Sequence, residues 1–337
     1  MTHNVTIQPS GHCFTIDDDE SILTAALRQG FNLPYGCRNG ACGSCKGTLL
    51  TGTTEHTGSP TALNDSDREK SKILFCVAHA TSDVTIECRE VGAAKDIQVR
   101  ILPCRVHQLE KLAPDVIALS LKLPSAERMQ FLPGQYLDIL LKNGERRSFS
   151  IANPPHDDAF LQLHVRLVTD GHFTEHVFNK MKEKDILRIE GPLGSFFLRE
   201  DSTKPVLFIA TGTGFAPIHA IIAHALHHHH DRAMHLYWGA RNRPDLYLAQ
   251  VPETWEHETP NFKYVPVLSR AQASDAWTGR TGYVTEAIAT DFPDLSGYQV
   301  YACGAPAMVT AARTLCLERG LPEDEFFADA FSFQHTT

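Results

Sequence analysis

Hydrophobic and polar positions change rhythm twice along the chain. Over residues 1–90, short alternating runs surround one helical stretch. Ile22, Leu23, Ala26 and Leu27 recur at helical spacing behind the acidic Asp17–Glu20. Acidic residues suit the positive end of a helix, so the first turn is expected there. Val84 and Ile86 alternate with polar neighbours, as in a closing strand. Gly92 to Lys95 are mostly small and read as a linker.

From 97 to 200 the period is mostly two. The runs are Gln98–Val106, Val116–Leu123, Gln135–Leu141, Phe160–Val168 and Asp185–Ile189, punctuated by Pro133-Gly134 and Asn143-Gly144. One helix is expected at Phe173–Met181. Many short antiparallel strands with one helix predict a small barrel. From 203 to 335, apolar runs at Val206–Ala210, His235–Trp238, Phe262–Val267 and Tyr298–Cys303 alternate with helical stretches. That is the rhythm of a parallel sheet covered by helices. No internal repeat is found. The pattern predicts a multidomain protein of α+β and α/β parts, with domains at 1–92, 97–200 and 203–335.

Composition agrees with this division. A chain of 337 residues with 42% hydrophobic residues is too long for one core. No run approaches the ~18–20 apolar residues of a membrane span, and the start lacks a basic region followed by an apolar stretch. A soluble cytoplasmic protein, not bound to membrane, is expected. Net charge is −9 and pI about 6.0, which argues against a nucleic-acid binder with its basic face. The run His227–His230 sits mid-chain. It reads as a solvated helix end, able to take up nickel in vitro, rather than as a metal site.

The nine cysteines carry the first chemistry. Without an export signal a disulfide framework is not expected. Cys13, Cys88, Cys104 and Cys316 have no spacing partner and read as small buried hydrophobes. Cys37, Cys42 and Cys45 form C-x4-C-x2-C, with Cys76 further on. This is the plant-type [2Fe–2S] spacing, and these four are the expected iron ligands. Bridging sulfides are electron-rich, so backbone N–H groups must turn towards them. Gly36, Gly40 and Gly43 permit that close approach. A zinc site would pair two C-x2-C units, and only Cys42–Cys45 has that spacing. Arg38 and Lys46 are expected as surface charges beside the cluster.

Two further strings suit phosphate groups. Gly171-His-Phe-Thr174 follows a strand and opens a helix, presenting free N–H groups to an anion. Gly212-Thr213-Gly214-Phe-Ala-Pro217 follows the apolar run Val206–Ala210 and opens another helix. Pro217 stands where the third glycine of G-x-G-x-x-G would be, which argues against the usual dinucleotide fingerprint. A proline fits the first helical turn.

The string Arg146-Arg147-Ser148-Phe149-Ser150-Ile151 resembles the flavin-binding R-x-[YF]-S motif of the ferredoxin–NADP+ reductase superfamily. Gly212–Pro217 resembles that superfamily's G-T-G-x-x-P variant, and Cys303-Gly304-Ala-Pro306-Ala-Met308 its second nucleotide turn. The resemblance implies that Arg147 pairs with the flavin pyrophosphate. Phe149 would lie against the isoalloxazine, and Ser150 would bond near N5, with Ile151 beside it. His164, Val165 and Arg166 would pass the flavin edge, and Thr174 would add a hydroxyl near Gly171. Glu190–Phe197 would pack between domains. Gly212, Thr213, Gly214, Pro217, Gly304, Pro306 and Met308 would hold the nucleotide. Cys303 would stand beside the nicotinamide as a catalytic residue with Ser150. Phe331, or alternatively Phe333, would cover the flavin face.

The resemblance spans the chain in the order ferredoxin, flavin barrel, nucleotide domain. It is similar to the reductase components of bacterial oxygenases, of the benzoate dioxygenase, phenol hydroxylase and methane monooxygenase type. Ile86–Glu90, Gly279–Val284 and Phe327–Phe331 resemble a nearer branch that includes CDP-6-deoxy-glucoseen reductase. The implied folds are a β-grasp plant-type ferredoxin, an antiparallel flavin-binding β-barrel and a parallel-sheet nucleotide-binding domain. The implied cofactors are a [2Fe–2S] cluster, FAD (favoured over FMN by the domain order) and NADH, with NADPH as the alternative. Ser269 and Arg270, at the end of the Phe262 strand, would line the nucleotide pocket, where such a pair meets the 2′-phosphate in NADP-dependent relatives and is also tolerated in NADH-using oxygenase reductases. Electrons would pass from NAD(P)H through FAD and, singly, through the cluster. The partner would be a terminal oxygenase or hydroxylase component, or another electron acceptor. A deoxysugar-pathway reductase and a stand-alone flavin or ferric reductase are the alternatives.

Overall fold

In the computed structural model, residues 2–91 and 97–331 are described. The expected linker Gly92–Lys95 lies outside them, as does Phe333. The chain divides into two compact units. One comprises Met1–Ile97, Gly194–Phe196 and Ala328–Thr337, the other Gln98–Leu193 and Phe197–Phe327.

The first unit runs β1 (Thr2–Gln8), β2 (Cys13–Asp17), α1 (Ile22–Arg28), β3 (Lys46–Thr51), β4 (Thr54–His56), α2 (Asp65–Glu69), β5 (Lys72–Leu74), β6 (Ala78–Ala80) and β7 (Val84–Glu87). Five strands form a sheet in the order β2-β1-β7-β3-β5. The closing strand β7 pairs parallel to β1, with Val84 and Ile86 buried. Helix α1 buries Ile22, Leu23, Ala25 and Ala26. Its start corrects the expectation. No acidic residue lies in its first turn, because Ser21 is the cap and accepts from Thr24 N at 3.2 Å. A hydroxyl satisfies the first N–H groups directly. Glu20 instead binds Arg28 at 2.6 Å.

The second unit opens with β8 (Arg100–Ala113), β9 (Val116–Lys122), β10 (Tyr136–Leu140), β11 (Arg146–Ser150), β12 (Leu161–Arg166), α3 (His172–Asn179) and β13 (Ile186–Leu193). The strand order is β11-β10-β13-β8-β9-β12, and the bridge Ile151↔Leu163 joins its two ends. Leu119, Leu121, Leu137, Ile139, Ile151, Leu163, Val165 and Ile189 fill the interior. Strand β8 is longer than its polarity pattern predicts. Register shifts at Val106/Gln108 and Lys111/Ala113 interrupt the period of two there, as bulges do.

The chain continues through β14 (Val206–Thr211), α4 (Phe215–His227), β15 (Met234–Ala240), α5 (Gln250–Glu258), β16 (Phe262–Leu268), β17 (Arg280–Thr281), α6 (Val284–Asp291), β18 (Gln299–Gly304), α7 (Pro306–Glu318) and β19 (Phe326–Ala330). The sheet order is β17-β16-β15-β14-β18-β19. Strands β14, β15, β16, β17 and β18 pair in parallel. Strand β14 is buried from Val206 to Ala210, as a central parallel strand covered on both faces requires. Among the described residues no helix is long and apolar enough to cross a membrane.

Candidate functional site

The cysteine loop joins α1 to β3. Cys37, Cys42 and Cys45 lie on it, and Cys76 follows β5. Phe75 N donates to Cys45 O at 3.0 Å, which fastens the distant ligand to the loop. Cys42 N donates to Cys37 Sγ at 3.3 Å, and Cys37 N to Cys42 Sγ at 3.4 Å. The N–H groups of Asn39 and Ala41 face Cys37, that of Ser44 faces Cys42, and that of Gly40 faces Cys76. Gly40 and Gly43 stand at φ +77° and +75°, where a side chain would be strained. A Cβ on Gly36 would lie 3.1 Å from Cys42 Sγ. Four free thiols with inward N–H groups fit an iron–sulfur cluster, whose sulfides take such donors.

Lys46 departs from the expected surface role. It is largely covered and binds Asp67 at 2.8 Å. Arg38 is exposed and lies over the Tyr35 ring at 5.0 Å. The loop also has neighbours that no local pattern announces. Ser195 N donates to Tyr35 O at 2.9 Å, and Ser44 Oγ donates to Ala328 O. A Cβ on Gly36 would stand 3.3 Å from Asp329 Oδ1. Burial, then Cys42, pushes the Asp329 carboxyl up to about 7. Of the four cysteines expected as buried hydrophobes, Cys104 and Cys316 are buried and Cys88 is half-buried. Cys13 is exposed, with Sγ 3.4 Å from Thr6 Oγ1, because it opens the sheet-edge strand β2.

The flavin string occupies β11. Ser150 Oγ is buried and has no hydrogen-bond partner among the described residues. Such a group costs stability unless something satisfies it, which fits a hydroxyl meant for a bound flavin. Arg147 donates to Glu145 Oε2 at 2.8 Å. Phe149 tilts against Phe173 at 5.5 Å between ring centres. Gly171 precedes α3 with no side-chain cap, leaving first-turn N–H groups for an anion.

Three expected flavin contacts change. Ile151 and Val165 have no exposed surface and fill the barrel core, because they face inward on their strands. Thr174 Oγ1 accepts from Val168 N at 3.1 Å and donates to Gly171 O at 3.1 Å, so its hydroxyl holds the turn. His164 and Arg166 alternate to the other face of β12. His164 Nδ1 lies 3.0 Å from Tyr247 OH, and Arg166 Nε donates to Asp115 at 2.8 Å.

Arg166 also meets the glycine turn. Its Nη1 would stand 2.6 Å from a Cβ on Gly212. Gly214 allows the turn after β14 to lie against the end of β18, since its Cβ would fall 2.2 Å from Cys303 O. Gly304, at φ +143°, would direct a Cβ to 2.2 Å from Thr211 Oγ1. Ala305 N donates to that hydroxyl at 3.3 Å, and Pro306 begins α7. Pro217 lies in the first turn of α4, and Thr213 and Met308 are partly exposed beside the two turns. Trp238 Nε1 donates to Gly212 O at 3.2 Å, and its ring stacks on Phe215 at 4.0 Å. Two glycine turns opening two helices at the carboxyl end of one parallel sheet suit a dinucleotide.

These spacings match three known families. Residues 5–81 match the 2Fe-2S iron-sulfur cluster binding domain, 103–198 the Oxidoreductase FAD-binding domain, and 208–314 the Oxidoreductase NAD-binding domain. The CDP-6-deoxy-L-threo-D-glycero-4-hexulose-3-dehydrase reductase of Yersinia pestis is 41% identical over 331 residues, covering 98% of this chain and 99% of that protein. The chain belongs to the [2Fe–2S] flavoprotein reductases of the ferredoxin–NADP+ reductase superfamily. Within the family, reductase component 2 of terephthalate 1,2-dioxygenase from Comamonas sp. is 36% identical over 334 residues, covering 98% of each chain. The crystal structure of the Amycolatopsis cytochrome P450 reductase GcoB is similar with a TM-score of 0.76 and 31% identity over 98% of each chain. This reductase is therefore an oxidoreductase with [2Fe–2S], FAD and NAD(P) modules, in the order the cysteine and glycine motifs imply.

Other expected site residues lie as follows. Cys303 is completely buried at the end of β18. Ser269 and Arg270 are exposed just past β16, with Ser269 Oγ donating to Ala240 O at 3.2 Å. Phe331 directly follows β19 and is half-buried. Tyr247, Trp238 and Asp329 were not singled out from sequence. Each sits among apolar or family-typical residues, and only tertiary contact reveals it.

Proposed function

We propose that this reductase is the electron-transfer component of a two-protein system. It takes electrons from NAD(P)H and delivers them singly to a separate oxygenase or hydroxylase, working in the cytoplasm. The observation that carries the reading is one chain holding four converging cysteines, an orphaned Ser150 hydroxyl and two glycine turns. Bound FAD supplies the exchange between a two-electron donor and a one-electron acceptor.

The chain's own residues position these groups. Arg147 and the α3 N-terminus hold the flavin diphosphate, Ser150 donates to the ring, and Phe149 lies against it. Gly212–Gly214 and Gly304–Met308 bring two helix N-termini to the nicotinamide dinucleotide. Cys303 lines the nicotinamide end. Ser269 and Arg270 line the nucleotide pocket, and NADH is the preferred donor. Steady-state rates with each nucleotide test that preference, and a strong NADPH preference would refute it.

Residues 1–92 carry 11 Asp/Glu against 7 Lys/Arg, a net −4 (7 minus 11), which suits a basic acceptor surface. The test is NADH-driven reduction of a co-encoded oxygenase, with a rate that falls as salt rises. Reduction of dyes and cytochrome c alone would refute the partner. A second reading rests on the 41% identity to the Yersinia pestis protein. In it the acceptor is a dehydratase acting on a nucleotide-linked deoxysugar. Reconstitution with each class of acceptor separates the two.

A further inference from the structure

We infer that His156, His224 and His228 form a divalent transition-metal site, of the imidazole-preferring class to which zinc belongs, that joins the flavin barrel to helix α4. One ring nitrogen from each of the three lies within 4.8 Å of the other two. His156 comes from the barrel segment between β11 and β12, while His224 and His228 end α4. The site is thus not the run His227–His230 that catches the eye in the sequence. It needs only one member of that run.

The positions are built rather than accidental. Asn153 fastens the segment that carries His156, its amide donating to Asp157 O at 2.6 Å and Phe160 O at 2.8 Å. His219 Nδ1 donates to Ala152 O at 2.7 Å, tying α4 to the same segment. The His156 ring stacks on His227 at 3.8 Å and 15°. His228 Nδ1 donates to His224 O at 2.9 Å, which leaves its Nε2 lone pair for a ligand. A ring N–H donated to a backbone carbonyl is the usual support of a metal-bound histidine.

His224 supplies a second indication. Its Nδ1 is buried and has no hydrogen-bond partner among the described residues, while its Nε2 lies 3.6 Å from Glu200 Oε1. Tetrahedral zinc with bonds of 2.0–2.1 Å needs nitrogens ~3.3 Å apart. His156 and His228 are exposed, so modest side-chain rotations close the difference. Solvent then fills the fourth position.

The test is a zinc titration of chelator-washed holoenzyme, whose cluster cysteines are already occupied. Calorimetry is expected to give one equivalent of Zn2+, and binding should raise Tm. His156→Ala and His224→Ala should each weaken it at least tenfold and remove the Tm shift. His229→Asn should change it less than twofold, since asparagine tolerates the φ of +53° at that position. Unchanged flavin and cluster absorption verifies folding, and His228→Gln gives a second surface variant expected to weaken binding. Zinc binding that survives His156→Ala, or no stoichiometric binding at all, would overturn the site.

Discussion

His164 and Tyr247 share one hydrogen bond, with Nδ1 3.0 Å from the phenol oxygen, and both side chains are buried. Barrel strand β12 is thereby joined to the segment after β15. Burial, then the nearby His219, holds the His164 imidazolium down to about 3. Burial raises the Tyr247 phenol. The pair therefore stays neutral at pH 7.

Tyr247→Phe leaves a buried imidazole nitrogen unpaired and should cost about 1–3 kcal/mol. The double variant Tyr247→Phe/His164→Phe should cost less than the sum of the singles in denaturant unfolding. Additive costs would mean that the hydrogen bond is not made.

The same pair sets a pH dependence. Unfolded, His164 binds a proton near 6.5, whereas folded it does so at about 3. Between those values the unfolded chain holds more protons, so stability rises with pH. It is complete above about 6.5 and is lost as pH falls towards 3, by up to about 1.4 kcal/mol per pH unit. The slope should be shallower in the double variant than in Tyr247→Phe. Equal slopes would contradict a buried neutral His164.

Ser150→Ala removes a hydroxyl that has no partner among the described residues. The flavin-free protein should be unchanged or slightly more stable. FAD affinity should fall about 2- to 13-fold, the equivalent of one hydrogen bond of about 0.5–1.5 kcal/mol. Loss of apoprotein stability without loss of flavin affinity would place the hydroxyl elsewhere.

Gly214→Ala would put a Cβ 2.2 Å from Cys303 O. The turn after β14 would have to move away from the end of β18, costing about 1–3 kcal/mol and raising KM for the nucleotide. Gly297→Ala, with nothing within 4 Å, should stay within about 0.5 kcal/mol of wild type. Thermal unfolding of both variants decides between a close approach and a general intolerance of alanine.

Cys42→Ser should abolish the cluster's visible absorption and electron delivery to a protein acceptor. NADH-to-dye activity should persist, because flavin and nucleotide sites lie on other residues. Loss of both would show that the modules depend on one another.

Local patterns were enough for much of this protein. C-x4-C-x2-C, the β11 string and the two glycine turns each keep their residue types within a short stretch, and such spacing is visible in one dimension; Cys76 lies much further along and is legible only through the plant-type pattern. The period-two and apolar runs likewise announced the barrel and the parallel sheet. Where the pattern failed, a non-local contact had overridden it. Bulges masked the end of β8, inward-facing backbone geometry took Ile151 and Val165 into the core, and an ion pair with Asp67 covered Lys46. Folding alone decided that Asp329 stands beside the cysteine loop, that Tyr247 meets His164, and that His156 meets α4. Those pairs are far apart in sequence, and no local propensity records which side chains a closed barrel and a parallel sheet bring together.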